Sequence, residues 1–444
     1  MATKASGVAA VKSYVPGQPN TGYGVDSYDL DLRYRVATNR LEGTAVITAT
    51  STKVLPKLTL DLSRLQVSKV KLRGSRTTRF TQTANKLTVA PASPIPAGTT
   101  FELTIEYAGA PVPRPSPWGP VGWEELADGV LVAAQPNGAP SWFPCNDDVA
   151  DKATYRIRVS AEQAYTVVCN GVLTEERLLA GRRHWLYVQD EPTATYLATL
   201  QLGRYERTPT TFASVPGVLA YPPALRSRVL ADFAPVSAMM TTFEELFGPY
   251  PFGSYTVVVT ADDLEIPLES QALATFGANH ADGQGGAERL VAHELAHQWF
   301  GNSVGLAHWR DIWLNEGFAC YAEWLWSERK GGPTADTLAR QFHRSLLSLP
   351  TDLLLGDPGA ALMFDDRVYK RGALTLHALR LTLGDDTFFD LVRTWTAEHR
   401  FGTATTEDFR TLADEFAGKP LSDLFDSWLF ASAVPRLPSA RSRR

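Results

Sequence analysis

Five consecutive residues, His293-Glu294-Leu295-Ala296-His297, place two imidazoles and a carboxylate at a spacing that suits metal-assisted hydrolysis. A helix has 3.6 residues per turn, so positions i and i+4 share one face and both imidazoles can grip one zinc ion. The intervening Glu294 then stands close enough to act as general base toward water activated at the metal. The chain holds only eight histidines, which leaves little room for an accidental pairing. The plain alternative is a solvated polar helix face. A catalytic zinc takes three protein ligands and keeps one position for water. Glu316, in Trp313-Leu314-Asn315-Glu316-Gly317-Phe318-Ala319, lies 19 positions after His297 and is the candidate third ligand. Taken alone, it could equally be a first-turn glutamate favoured by the helix dipole. Glu323, seven positions further, shares the helix face of Glu316. It either orients His293 from behind or is an exposed or salt-bridged glutamate.

For these groups to meet, a helix over 286–300 must turn back through GNSVGLAHWRDI into a second helix over 313–329. The surrounding chain has the matching period. Leu225, Val229, Phe233, Val236, Met240, Phe243 and Phe247 recur at three and four, predicting one helix over Leu225–Phe247 that Gly248-Pro249 ends. Further helices are predicted over 334–349, 368–384 and 385–399, with a small sheet around Tyr255–Thr260. Before residue 205 the rhythm is different. Tyr28, Leu30, Leu32, Tyr34 and Val36 alternate with polar residues, as do Phe101, Leu103, Ile105 and Tyr107. Thr44–Thr50, Leu58–Leu62, Val67–Leu72, Tyr155–Val159 and His184–Val188 read as further strands. The proline-rich Pro111–Pro120 reads as an irregular loop, because proline cannot donate to a ladder. The expected architecture is α+β and multidomain: an antiparallel β domain over 1–205, a mainly helical domain over 206–435, and a basic tail over 436–444.

With these residues in view, VAHELAHQWFGNSV followed by WRDIWLNEGFACYAEWLW closely resembles the gluzincin aminopeptidase family, the aminopeptidase N-like zinc peptidases that include leukotriene hydrolase. Trp142-Phe143-Pro144-Cys145-Asn146-Asp147 is similar to its F-P-C-x-D segment, and Val368-Tyr369-Lys370-Arg371-Gly372-Ala373 to its V-Y-x-K-G-A segment. The resemblance spans about residues 25 to 435. It implies a thermolysin-like catalytic domain and one zinc held by His293, His297 and Glu316, with Glu294 as general base. It also makes Tyr369 the donor to the developing oxyanion, a role that tyrosine chemistry permits and composition alone would not suggest. Arg371 stands where the family usually has lysine, a change expected to matter little if the residue only positions its segment. The family anchors the substrate's free amine with the glutamate of a G-x-M-E-N motif. Here the matching stretch is Ile266-Pro267-Leu268-Glu269-Ser270-Gln271, so Glu269 is the implied anchor and Pro267 removes a backbone donor. Asp262, Asp263 and Glu265 are competitors in poorer register. Gln135 resembles the β-domain glutamine that lines the first specificity pocket and helps bind the amine. Cys320 reads as a buried small residue, and His280 and His308 as structural or solvent-exposed. The family commonly adds a large helical domain, for which this sequence shows no chain, so the cleft is expected to be more open on one side unless another subunit covers it.

Composition narrows the partners. With 43 Lys and Arg against 48 Asp and Glu, the net charge of −5 gives no global field to attract nucleic acid. Three scattered cysteines are too few for a disulfide scaffold or a cysteine zinc site and suit a reducing compartment. No apolar h-region opens the sequence and no spanning apolar run occurs, so a cytoplasmic protein without a membrane partner is expected. The expected activity is zinc-dependent removal of N-terminal residues from peptides with a free N-terminus. A zinc endopeptidase or epoxide hydrolase on the same fold, and a non-catalytic peptide-binding module, are the competing readings. Oligomeric state is not legible.

Overall fold

The computed structural model describes residues 13–75 and 77–439. Most of the predicted basic tail, beyond Ser439, lies outside the described residues. Alternation in the first half builds a seven-stranded sheet in the order Val172–Leu179, Arg182–Ala194, Lys152–Glu162, Tyr23–Arg35, Arg40–Ser51, Thr100–Gly109 and Gln66–Leu72. Tyr28, Leu30, Leu32 and Tyr34 all face its core, joined there by Leu103, Ile105 and Tyr107. One expectation is corrected. The sheet is mixed, because Tyr23–Arg35 pairs in parallel with Lys152–Glu162, Tyr28 opposite Tyr155. More than a hundred residues separate those strands in sequence, long enough for the crossover that a parallel pair requires. Alternation reports which face is buried and not which way the neighbour runs.

A five-stranded sheet lies beside it, in the order Thr166–Cys169, Leu200–Gly203, Gly129–Ala133, Gly119–Leu126 and Arg114–Ser116. The Pro111–Pro120 segment is therefore not wholly irregular: Arg114–Ser116 pairs with Gly119–Val121. Arg114–Ser116 is the edge strand, and there Pro115 has no neighbour to which a donor would be owed.

The second half opens with another five-stranded sheet, ordered Glu206–Phe212, Val215–Tyr221, Tyr255–Val259, Leu273–Phe276 and Leu268–Ser270. The last of these is an edge strand and carries Glu269. Helices α1 (Arg226–Asp232) and α2 (Val236–Phe247) replace the single helix predicted there. Pro235 precedes α2 and lacks the N–H that would continue the helix from α1. Then come α3 (Glu288–Ala296), α4 (Trp313–Arg329), α5 (Ala335–Leu346), α6 (Asp366–Leu383) and α7 (Asp385–Glu398). A further helix, α8 (Thr406–Ala417), was not anticipated. Its signal was present: Thr405 Oγ1 accepts from the Asp408 N–H while the Asp408 carboxylate accepts from the Thr405 N–H, a capping box.

Two contacts set the position of α6, which bears Tyr369. Gly317 of α4 meets Gly372 of α6 backbone to backbone; a Cβ on Gly372 would fall 2.7 Å from the Gly317 Cα, and one on Gly317 2.9 Å from the Gly372 Cα. The buried Arg371 donates to the carbonyls of Leu353, Ser427, Trp428, Ala431, Ser432 and Ala433, gathering the C-terminal segment onto α6. A lysine has three donors on one atom and could not span this set, so Arg371 positions its segment with a broader clamp than lysine would give.

The glycine crossing makes a test. Gly372→Ala should lower unfolding stability by about 1–3 kcal/mol through overpacking, read as a lower urea midpoint. An unchanged midpoint would show that the helices have room to part.

Candidate active site

Helix α3 carries Arg289 and His293 one turn apart, and His297 follows at its C-terminal cap. The helix is shorter than the 286–300 predicted. After Ala296 the backbone turns tightly, with Asn302 N–H donating to His297 O and Gly301 N–H to Val304 O. That turn delivers the chain to Trp313, where α4 begins, and puts Glu316 in its first turn.

The metal-binding atoms converge. Glu316 Oε2 lies 3.5 Å from His293 Nε2 and 3.4 Å from His297 Nε2. Among the described residues, His293, His297 and Glu316 are the group of three whose ligand atoms, all within 4.8 Å of one another, could hold a metal ion. Ligands about 2.0–2.1 Å from a tetrahedral ion lie about 3.3–3.4 Å apart, so the set fits zinc. Their other ring nitrogens are engaged. His293 Nδ1 is 2.8 Å from Glu323 Oε1, and His297 Nδ1 is 3.0 Å from Phe300 O. Each imidazole is thereby held with Nε2 toward the carboxylate of Glu316.

Glu323 is thus behind His293 and buried, and it is also salt-bridged, so contacts named in both of its sequence readings are present. Sequence reasoning missed its partner: Arg289 Nη1 donates to the same Oε1 at 2.9 Å. The signal was the i, i+4 spacing of Arg289 and His293. The Phe300 carbonyl left no signal, because any residue could supply it.

Glu269 is brought to this group from the edge strand. Gln135 Nε2 donates to Glu269 Oε1 at 2.5 Å, linking the two halves of the chain. The edge strand is fastened to the end of α3 by side chains that the motif does not advertise. Gln298 Oε1 accepts from Ala272 N–H at 2.8 Å and its Nε2 donates to Ser270 O, which also accepts from Asn302 Nδ2 at 3.0 Å. Asp262 is occupied elsewhere, accepting from the Ala127 N–H. Tyr369 is half-buried, with its ring 6.1 Å from that of His293 and nearly parallel to it. Cys320 is fully buried, His280 Nδ1 accepts from the Gly277 N–H, and His308 is exposed.

The electrostatics follow from three carboxylates and two imidazoles sharing a dry volume. Burial opposes charge on His293, but hydrogen bonds to Glu316 and Glu323 prevail and push it up to about 10. Burial likewise opposes charge on His297, while the Glu316 carboxylate and then Glu269 push it up to about 9. Burial works against the ionised form of Glu316 too, yet His297 and His293 together hold it below the usual carboxylate range. Glu294 and Glu269 move the other way: burial raises both, with the histidine charges only partly offsetting it. Burial also holds the Tyr369 phenol far above its usual range, so it stays a neutral donor.

A consequence is measurable. The raised proton affinities predict that both imidazoles carry protons at pH 7 in metal-free protein, a stabilising arrangement complete below 6.5 and lost as pH rises through 9 to 10. Zinc needs them neutral, so its binding should release about two protons per ion at pH 7, falling toward none above pH 10. Calorimetry in buffers of different ionisation heats measures this. Binding without proton release at pH 7 would contradict the assignment.

Residues 25–197 match the peptidase M1 N-terminal domain and residues 233–428 the peptidase family M1 domain. Tricorn protease-interacting factor F2 of Thermoplasma acidophilum is 26% identical over 344 residues, covering 71% of this chain and 42% of that protein. Probable aminopeptidase 2 of Sulfurisphaera tokodaii is 26% identical over 319 residues, covering 67% and 40%. The chain therefore spans about two fifths of the length of these relatives. Among solved structures, a mutant M1 zinc metallopeptidase from Deinococcus radiodurans bound to a Tyr-Ser-Ala substrate superposes with a TM-score of 0.89 at 30% identity. The match covers 97% of this chain and 100% of that one. Two domains matched in sequence and one fold matched along nearly its whole length make this chain a member of peptidase family M1.

Proposed function

We propose that the protein is a zinc-dependent aminopeptidase that hydrolyses the N-terminal residue from peptides. The observation that carries this reading is Glu269, a half-buried carboxylate that Gln135 holds beside the His293–His297–Glu316 group. An internal peptide bond has no ammonium to place there, whereas a free N-terminus supplies a countercharge beside the carboxylate. The similar M1 structures have a Tyr-Ser-Ala substrate, L-arginine and L-tryptophan bound, which supports a peptide substrate with an open choice of first side chain. We divide the chain at 205/206, where the strands pass from the β-domain sheets to the sheet that carries Glu269. The three cysteines are buried and unpaired, which suits a reducing compartment, and we place the enzyme in the cytoplasm.

His293, His297 and Glu316 would hold the zinc. When bound, it acts as a Lewis acid that polarises the scissile carbonyl and makes water nucleophilic near neutral pH. Glu294 takes the proton of the attacking water and delivers it to the departing amine; burial raises its proton affinity toward the range such a shuttle needs. The Tyr369 hydroxyl donates to the carbonyl oxygen as negative charge develops there. Glu269 and Gln135 fix the substrate's amine, which sets the first peptide bond, and no later one, at the reacting position. Glu323 and the Phe300 carbonyl keep the two imidazoles in one orientation.

Glu294→Gln should keep its zinc and lose hydrolysis by about 10³-fold or more. Tyr369→Phe should lose about 10²- to 10³-fold in kcat with zinc content unchanged. A metal-loaded variant of either residue with near-normal turnover would remove that role. Aminoacyl arylamides should be cleaved in a zinc-dependent manner and their N-acetylated counterparts should not. Glu269→Ala should abolish that discrimination. Equal cleavage of blocked and free substrates by the unaltered protein would favour an endopeptidase.

A further inference from the structure

The carboxylate behind His293 has a second face. Glu323 forms part of the wall of a cavity of about 210 Å³ between α3, α4 and α5. Its apolar lining is Trp324, Trp326, Leu338 and Phe342, with the Trp324 and Phe342 rings stacked 5.3 Å apart and 4° from parallel. Its polar lining includes two cations, Arg289 and Lys330. Arg289 keeps 59% of its side chain accessible while bonded to Glu323. A guanidinium has five N–H donors, and Glu323 is the acceptor of one. Lys330 lines the cavity from the end of α4 with its ammonium ion-paired to Glu288 at 2.9 Å. The one lining carboxylate, Glu323, is already shared by Arg289 and His293.

We propose that this cavity binds a small aryl carboxylate. A cavity below the usual 300 Å³ lower bound for ligand pockets takes an anion of about ten non-hydrogen atoms. The ring lies against Trp326, Leu338 and Phe342, and the carboxylate meets the Arg289 guanidinium with Lys330 alongside. Planar, forked pairing with a carboxylate is what a guanidinium does best. The site is coupled to the metal centre through one atom. Glu323 Oε1 receives both Arg289 Nη1 and His293 Nδ1, so an anion that draws on Arg289 changes the acceptor that orients His293. Linkage then requires the anion to alter zinc affinity and zinc to alter anion affinity by the same factor.

Phenylacetate is the probe, titrated calorimetrically into zinc-loaded and zinc-stripped protein, with neutral phenylacetamide as control. Binding needs no turnover, so the result stands apart from the assignment of peptidase activity. Saturable one-to-one binding is expected, at least about tenfold weaker for the amide, since a charged hydrogen bond contributes about 1.5–3 kcal/mol. The phenylacetate Kd should differ at least about threefold between zinc-loaded and zinc-stripped protein, with zinc affinity shifting by the same factor. Leu338→Trp fills the cavity and should abolish binding while melting temperature and peptide hydrolysis stay unchanged. Lys330→Gln should weaken binding severalfold. No saturable heat at about 10 mM (a binding free energy weaker than about −3 kcal/mol) would overturn the site. Equal affinity for acid and amide would do so as well, as would binding undiminished in Leu338→Trp. Equal Kd with and without zinc would overturn the coupling.

Discussion

A carboxylate set between two imidazoles, away from water, governs this molecule. Glu316 lies within 3.5 Å of both histidine Nε2 atoms, the buried Glu294 shares the same region, and the half-buried Glu269 borders it. Charges so placed are costly unless each is opposed at close range. Zinc is one positive partner that suits such a cluster, and under the proposed function the substrate's ammonium is another. Much of the surrounding structure serves to keep the negative groups from relaxing away from one another. The glycine contact between α4 and α6 holds Glu316 near Tyr369. Gln298 and Asn302 fasten the Glu269 strand to the end of α3.

The β half takes part in this arrangement. Gln135 reaches Glu269 from it, and the Leu197 carbonyl accepts from the Gln271 N–H beside the edge strand. Lys152 donates to the carbonyls of Asn302 and Ser303 at 2.9 Å each, pinning the turn that follows His297. Burial pushes that ammonium down to about 7. Glu269, the proposed amine anchor, is therefore held from both halves of the chain.

What the sequence reveals follows from how local each determinant is. The spacing of His293, Glu294 and His297 is a property of a single helix, so it reads directly; Glu316 was legible because it opens the next helix. Burial faces were legible from alternation at Tyr28 to Tyr34. The parallel pairing of Tyr28 with Tyr155 was not, since period two carries no strand direction. The break at Pro235 was hidden under a hydrophobic period that runs on across it, and the edge position that tolerates Pro115 depends on the whole sheet. Arg371 shows the same limit at the site. Its replacement of lysine was visible, but the six carbonyls it gathers come from Leu353 and from Ser427 to Ala433. Arg289 was within reach of reasoning by helical spacing, whereas the Phe300 carbonyl was not.

The central claim is that three named atoms, His293 Nε2, His297 Nε2 and one oxygen of Glu316, define a zinc site. Anomalous diffraction from crystals of the protein, collected on both sides of the zinc absorption edge, tests it directly. The account predicts a single strong zinc peak about 2.0–2.2 Å from each of those atoms. No such peak in zinc-supplemented crystals, or one bound to other residues, would contradict it.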